Sequence, residues 1–394
     1  MKLALISLAA LAAAAGGAHA QSSVTLSGQL DAAATALKTT AGGVGVRKTG
    51  LYNAGMASSF MTFSGKEDLG GGLYAAFKLE TGLNMDHGGG NGTNTNNQRS
   101  GAAPALAGGQ GLTFHRWSYV ALGSSRWGEL RLGRVYTVAF LNFTPFDPFL
   151  TNGVGASSAV SLRLGLRDTQ TALNVSNAID YVLPTFGGGF FGSATLALGE
   201  NPSNGTLVTS NPRHGGNHAA IRFGYASGPL QVAYSAGLTS NTPGTSGTGN
   251  NAGDYLVTNL AGSYNFGAAR VMGQYVTERL EGASAAGGNL TGNPAHVART
   301  RTFVAGVVVP MGPGNIKFSY VDGRLRDNIG SAPERGKLFA VGYDYFFSKR
   351  TNLYAVYSHI GNNSVGNYGF GAAYLTPGIG QSSTGLQVGL KHIF

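Results

Sequence analysis

The final eleven residues, TGLQVGLKHIF (384–394), decide how the rest of the chain is read. Leu386, Val388, Leu390, His392 and Phe394 share one parity, and Gln387, Gly389 and Lys391 share the other. Alternation of this kind is a β-strand with one apolar and one polar face. Chain ends fray into water unless something ties them down. A strand that still alternates at its last residue is therefore expected to be paired, and the candidate partner is the first strand, within SSVTLSGQLD (22–31).

The same alternation recurs along the chain. Val24, Leu26, Gly28 and Leu30 alternate with Thr25, Ser27, Gln29 and Asp31, and Leu230, Val232, Tyr234, Ala236 and Leu238 alternate with Gln231, Ala233, Ser235, Gly237 and Thr239. Short turns such as EDLGGG (67–72), FGAA (266–269) and SKRT (348–351) take turns with long polar loops such as 86–110, 240–253 and 282–298. Short connections at one end and long ones at the other are the pattern of an outer-membrane barrel. Strands are predicted at 24–37, 51–66, 71–85, 111–123, 127–137, 173–184, 188–199, 217–227, 229–240, 254–267, 268–281, 299–311, 313–326, 335–347, 350–361 and 381–394. The fold class is thus all-β: a 16-stranded antiparallel transmembrane β-barrel with an inward-folded constriction loop. A soluble sandwich would need an apolar interior, whereas here the polar face carries Asp31, Lys78, Glu80, Arg222, Arg270, Lys317 and Asp344. Tyr343, Tyr345 and Phe347 before one short turn, and Tyr264 and Phe266 before another, fit an interfacial aromatic girdle.

Composition agrees. Only 11% of residues are charged, against about 25% in an ordinary soluble domain, and there is no cysteine, which excludes a disulfide scaffold. MKLALISLAALAAAAGGAHA (1–20) has a basic start, an apolar stretch and a small-x-small end. It is expected to be a signal peptide, leaving 21–394 as the barrel domain. Losing Lys2 from 27 basic residues leaves 26 against 17 acidic ones, a formal charge of +9. Those basic residues are scattered singly, so nucleic acid is not expected as a partner. HExxH, GxSxG and metal-ligand spacings are absent from the sequence, so no enzyme activity, metal or cofactor is expected.

One connection breaks the pattern. TVAFLNFTPFDPFLTNGVGASSAVSLRLGLRDTQTA (137–172) holds Pro145, Pro148 and many aromatics. Folding into the barrel mouth at about 138–172 would bury them, narrow the pore, and put Asp147 on its rim.

The matched stretches QSSVTLSGQLD, MTFSGKEDLGGGLYAAFKLETG, FHRWSYVAL followed by GELRLGRVYT, NAIDYVLPTFGGGFFG, YFFSKRTNLYAVYSHI and GLQVGLKHIF run from the mature start to the end. In that order and spacing the chain resembles the general bacterial porins of Gram-negative outer membranes, in their beta-proteobacterial branch. The resemblance implies a homotrimer among outer-membrane lipids and lipopolysaccharide. Its third external loop would form an eyelet, with wall arginines facing loop carboxylates. It also implies that Phe394 is the signal read by the barrel-assembly machinery.

Carried over by position, Arg116 and Arg134 match wall arginines and Asp147 the loop carboxylate. Arg116 is assigned lumen parity, opposite Trp117 and Tyr119. Arg134 has lipid parity, so a bulge or the start of the inward loop is expected to turn it inward. Lys78, Glu80 and Arg131 have lumen parity. Phe60 and Asn174 stand where the family often has arginine, and Arg163 and Arg167 are the candidate compensation. The expected function is general diffusion of small hydrophilic solutes and ions, with the positive balance favouring anions. A substrate-specific porin and a non-conducting adhesin or structural barrel are the alternatives.

Overall fold

The computed structural model describes residues 23–98, 111–200, 214–241, 253–283, 291, 293, 295–371 and 374–394. The expected leader, 1–20, lies outside them, as does part of the second long loop. Among the described residues no helix is long and apolar enough to cross a membrane, so crossing is left to strands.

All strands join one antiparallel sheet, β1 (Ser23–Ala41) to β17 (Ser383–Ile393). Along one edge β1 pairs with both β2 (Val44–Asn53) and β3 (Phe60–Gly70), which lie in line as a single stave. Along its other edge it pairs with β17, from Gln29↔Ile393 to Thr39↔Ser383. The seventeen segments therefore make sixteen staves, and the barrel is closed. Phe394 extends the seam, its N–H donating to Gly28 O at 3.0 Å and its C=O accepting from Gly28 N at 3.1 Å. Closure leaves no unpaired edge, the condition for a β backbone in lipid.

The pleat sorts side chains as their alternation requires. In β10 (Leu230–Ser240), Leu230, Val232, Tyr234 and Leu238 are exposed on the outer wall while Ala233, Ser235 and Thr239 are buried inside. Tyr345, Phe347, Tyr264 and Phe266 all lie exposed at the short-turn end. Ring contacts at 5.1 Å and 4.6 Å join them in pairs.

Two expectations fail in detail. The first strand is expected to end at 37 and the second to begin at 51, whereas both run on to a hairpin that turns at Gly42 and Gly43 with φ of 57° and 78°, values that glycine adopts without strain. The second stave is also broken between β2 and β3. Asp31 causes the break: its carboxylate accepts N–H bonds from Gly55, Met56 and Ala57 at 3.0, 3.1 and 2.9 Å. That pulls residues 54–59 off the stave into the barrel, where Met56 is buried.

The segment between β6 (Gly128–Tyr136) and β7 (Asn174–Val182) also folds inside. It contains a helix at Val138–Phe143, capped by the Thr137 hydroxyl, a 3-10 turn at Thr144–Phe146, and short helices at Ser158–Ser161 and Arg163–Asp168. Phe143, Phe146 and Phe149 are at most 1% exposed. Each such burial stabilises by about 1.5–3 kcal/mol. Val154, Phe149 and Val160 pack with Val304, Val321, Leu338 and Val356 of the wall. A second cluster joins Phe143, Leu162 and Leu164 to Val276, Leu280 and Leu325. The wall is glycine where the loop touches it: a Cβ on Gly306 would meet Pro148 at 2.4 Å, and one on Gly323 would meet Val160 at 2.6 Å.

Candidate functional site

A passage of about 520 Å³ runs between this loop and the wall built by β1, β3, β4 (Leu73–Gly82) and β5 (Trp117–Ser124). The loop side presents Phe140, Thr144, Pro145, Leu150 and Asn152, and the wall side Gln29, Glu80, Arg116 and Trp117. Among the described lining residues only Glu80 and Arg116 are charged. His115 lines the passage too. Burial, reinforced by the neighbouring Arg116 and Arg134, pushes its pKa down to about 4 against an opposing hydrogen bond to Thr113 O. It is therefore neutral at pH 7.

Glu80, on β4 (Leu73–Gly82), is the hub of the wall. It accepts from Arg116 Nε at 2.6 Å, Thr62 Oγ1 at 2.9 Å and Lys78 Nζ at 2.9 Å. The Arg116 guanidinium lies over the Phe60 ring at 4.8 Å and the Tyr136 ring at 5.5 Å. Phe60, standing where an arginine was expected, thus supports one. Asn174, the other departure, donates to Arg116 O at 2.8 Å. Arg131 forms a second knot, bound to Glu129 at 2.6 Å and Asp180 at 3.5 Å and lying over Tyr119 at 5.2 Å.

The parity assigned to Arg116 needs correcting. Trp117 pairs with Glu80 and Tyr119 with Lys78, so both aromatics face the lumen. Arg116 reaches the same side because it lies one residue before β5 (Trp117–Ser124), where the alternation has not begun.

Arg134 is the second correction. The register does shift between Gly133 and Val135, but the extra residue lies in β7, and Val135 keeps the inward parity of Arg131 and Gly133, packing with Val175 and Ala178. Arg134 stays on the outer side, opposite Ser118. It donates to His115 O at 2.5 Å, Ser176 Oγ at 2.6 Å and Asn94 O at 3.4 Å, beneath a piece of the second long loop.

Asp147 is the third. It is 1% exposed and faces the loop's own interior, accepting from Phe149 N, Thr151 N, Ser157 N and Ser157 Oγ at 3.0, 3.1, 3.0 and 2.6 Å. Burial raises its pKa, and these bonds oppose the rise. Arg163 is likewise turned away from the passage: it bonds Glu334 at 3.3 Å, contacts Asn367, and lies over Tyr368 at 4.5 Å. Arg167 is exposed on the last helical turn of the loop.

The residues that hold the loop were not among the candidates. Glu278 accepts from Leu164 N and Gly165 N at 3.2 and 2.7 Å. Gln387 accepts from Val154 N at 2.8 Å, and Gln274 donates to Phe143 O at 2.9 Å. Arg222 donates to Asn142 Oδ1 at 3.1 Å, and Arg270 to Pro145 O at 3.3 Å and Ser263 Oγ at 3.0 Å. All five have lumen parity, and that was the signal in the sequence. Among the described residues neither Arg222 nor Arg270 contacts a carboxylate.

Comparison with known proteins agrees with this geometry. The Gram-negative porin family profile matches residues 7–365. The chain is 32% identical to Outer membrane porin protein 32 of Delftia acidovorans over 399 aligned positions, covering all of both chains. It is 28% identical to an outer membrane porin protein of Bordetella pertussis, again covering all of both. Among solved structures, the Anion-selective porin from Comamonas acidovorans superposes with a TM-score of 0.74 at 26% identity, covering 95% of this chain and 100% of that one.

Proposed function

This chain belongs to the Gram-negative porin family, and from that premise we propose how its passage sorts what it admits. It is an outer-membrane porin of general diffusion type: small hydrophilic solutes and ions cross a water-filled pore down their gradients. The proposal is that the pore prefers anions and is a passive conduit rather than an enzyme. The supporting observation is the uncharged loop face opposite Arg116. The loop carboxylate that would balance the wall is turned into the loop's own interior. Arg222 and Arg270, which hold the loop to the wall, meet only neutral acceptors among the described residues. Fixed charges in a confined aqueous path bias the ions that enter.

The test is the reversal potential across a planar bilayer under a potassium chloride gradient. The expected sign is that of chloride preference. Arg116→Ala, which leaves Lys78 as the cation bound to Glu80, should move the potential toward cations. Cation preference in the wild-type protein would overturn the proposal. On the same reading residues 1–20 are a cleaved leader, the barrel works as a homotrimer, and Phe394 is read during assembly. These three rest on the sequence features and on the family.

A further inference from the structure

The outer wall at the long-loop end carries a cationic face that the pore does not use. In β12 (Arg270–Glu281), β13 (Val297–Met311), β14 (Gly314–Asp327) and β15 (Glu334–Phe346), the outward register brings like charges into direct opposition. Arg299 faces Arg279 on one side and Arg326 on the other. One row below, Arg324 faces Arg301 and Arg335. Lys337 lies a further row down, opposite Asp322. Seven cations thus meet three acids, Glu281, Asp322 and, opposite Glu281 just before the next strand, Asp254, a net of +4. Glu281 is bound to Arg279 and Asp322 to Arg335. Arg299, Arg301, Arg324 and Arg326 are exposed and have no carboxylate partner among the described residues.

Like charges directly opposite across a sheet are destabilising, so four such arginines call for an anion from outside the chain. Their position says which kind. Tyr275, Phe303, Tyr320 and Phe339 are exposed in the next two rows down the same strands, so the charges sit directly above the apolar band. There an outward cation costs only about 0–1 kcal/mol, and it lies level with lipid headgroups. A second copy of the chain is a poor match. Among the described residues, the strands' outward register at this end carries only Glu281 and Asp322, with Asp254 continuing it beside Glu281, and all three lie within the patch itself.

We propose that the outward arginines of β13 and β14, with Arg279, Arg335 and Lys337 at their flanks, bind the phosphate groups of a multiply phosphorylated glycolipid in the outer leaflet. Guanidinium groups suit this role through their paired donors to phosphate oxygens. The proposal rests on the outer-membrane porin reading and gives its lipid contact a place and a chemistry.

The test titrates the folded full-length barrel in detergent with diphosphorylated lipid A, its dephosphorylated form, and inorganic phosphate. Arg299→Gln, Arg301→Gln, Arg324→Gln and Arg326→Gln are combined in one variant. Diphosphorylated lipid A should bind wild type and lose roughly tenfold or more in affinity on the variant. The dephosphorylated lipid should bind weakly to both. Arg222→Gln, inside the barrel, should bind as wild type does. Should the quadruple variant fail to fold, Arg301→Gln and Arg326→Gln are measured singly and should each weaken binding. Equal binding by wild type and variant would overturn the proposal. So would equal binding of the two lipids, or binding of inorganic phosphate alone. So would loss of self-association in the variant with lipid binding kept. Conductance of the same preparations separates the two levels: a barrel that conducts without preferring the phosphorylated lipid refutes only this inference, and one that does not conduct refutes the porin reading beneath it.

Discussion

Both carboxylate oxygens of Asp147 are taken up by the loop's own donors, which makes this acid a clasp and not a pore charge. Asp147→Asn replaces one acceptor oxygen with an NH2 that faces donors, at a cost of about 1–3 kcal/mol. We expect a loosened loop: larger and noisier single-channel conductance, with the sign of ion preference kept. A reversed sign with unchanged conductance would put Asp147 back in the eyelet. Arg134 and Arg116 make a matching pair. Arg134→Ala should leave the reversal potential where it is, because its guanidinium bonds the outer side of the wall, while Arg116→Ala should shift it. Parity gives the side on which a regular strand would place each residue. It held for Arg134, whose outward side was legible and whose expected inward turn did not occur, and it failed for Arg116, which lies one residue before the start of β5. Asp147 was misplaced for a different reason: nothing in a linear sequence shows that Ser157, ten residues on, returns to meet it.

The strands were legible because lipid outside and polar surface inside impose the two-residue period along nearly the whole chain. For β9 (Asn217–Ser227) the expected and observed limits coincide. The break between β2 and β3 was not legible, since it depends on Asp31 gathering three N–H groups from residues more than twenty positions away. The loop's docking surface did leave a trace, in the inward-facing Gly306, Gly323 and Gly342. The closing seam is the element with the least room. A Cβ on Gly28 would lie 2.4 Å from the Phe60 carbonyl oxygen and 2.7 Å from the Phe394 ring. Gly28→Val is therefore expected to lower the yield of folded barrel, seen as loss of the heat-modifiable band on gels. The pores that do form should keep wild-type conductance. Normal yield would mean that the seam tolerates being wedged open.

At the scale of the whole molecule the positive balance is divided. Inside, Arg116, Arg131 and Lys317 are each bound to carboxylates, Arg222 and Arg270 bond neutral acceptors, and the acids Asp31, Asp147 and Glu278 bond neutral donors. Outside, the strands β12–β15 carry a surplus that never meets the permeating ion. The sequence charge of +10 is therefore a weak guide to selectivity. The closed seam has a consequence of its own. Because β1 starts and β17 ends on the short-turn side, chain order is only one of several routes around the same ring of staves. A circular permutant that joins Phe394 to Ser23 by a brief linker and reopens the chain between Ser227 and Leu230 would keep every ladder. It would end on Ser227 rather than on an aromatic residue. Such a protein would show whether the terminal phenylalanine matters as a neighbour of Gly28 or as the last letter of the chain.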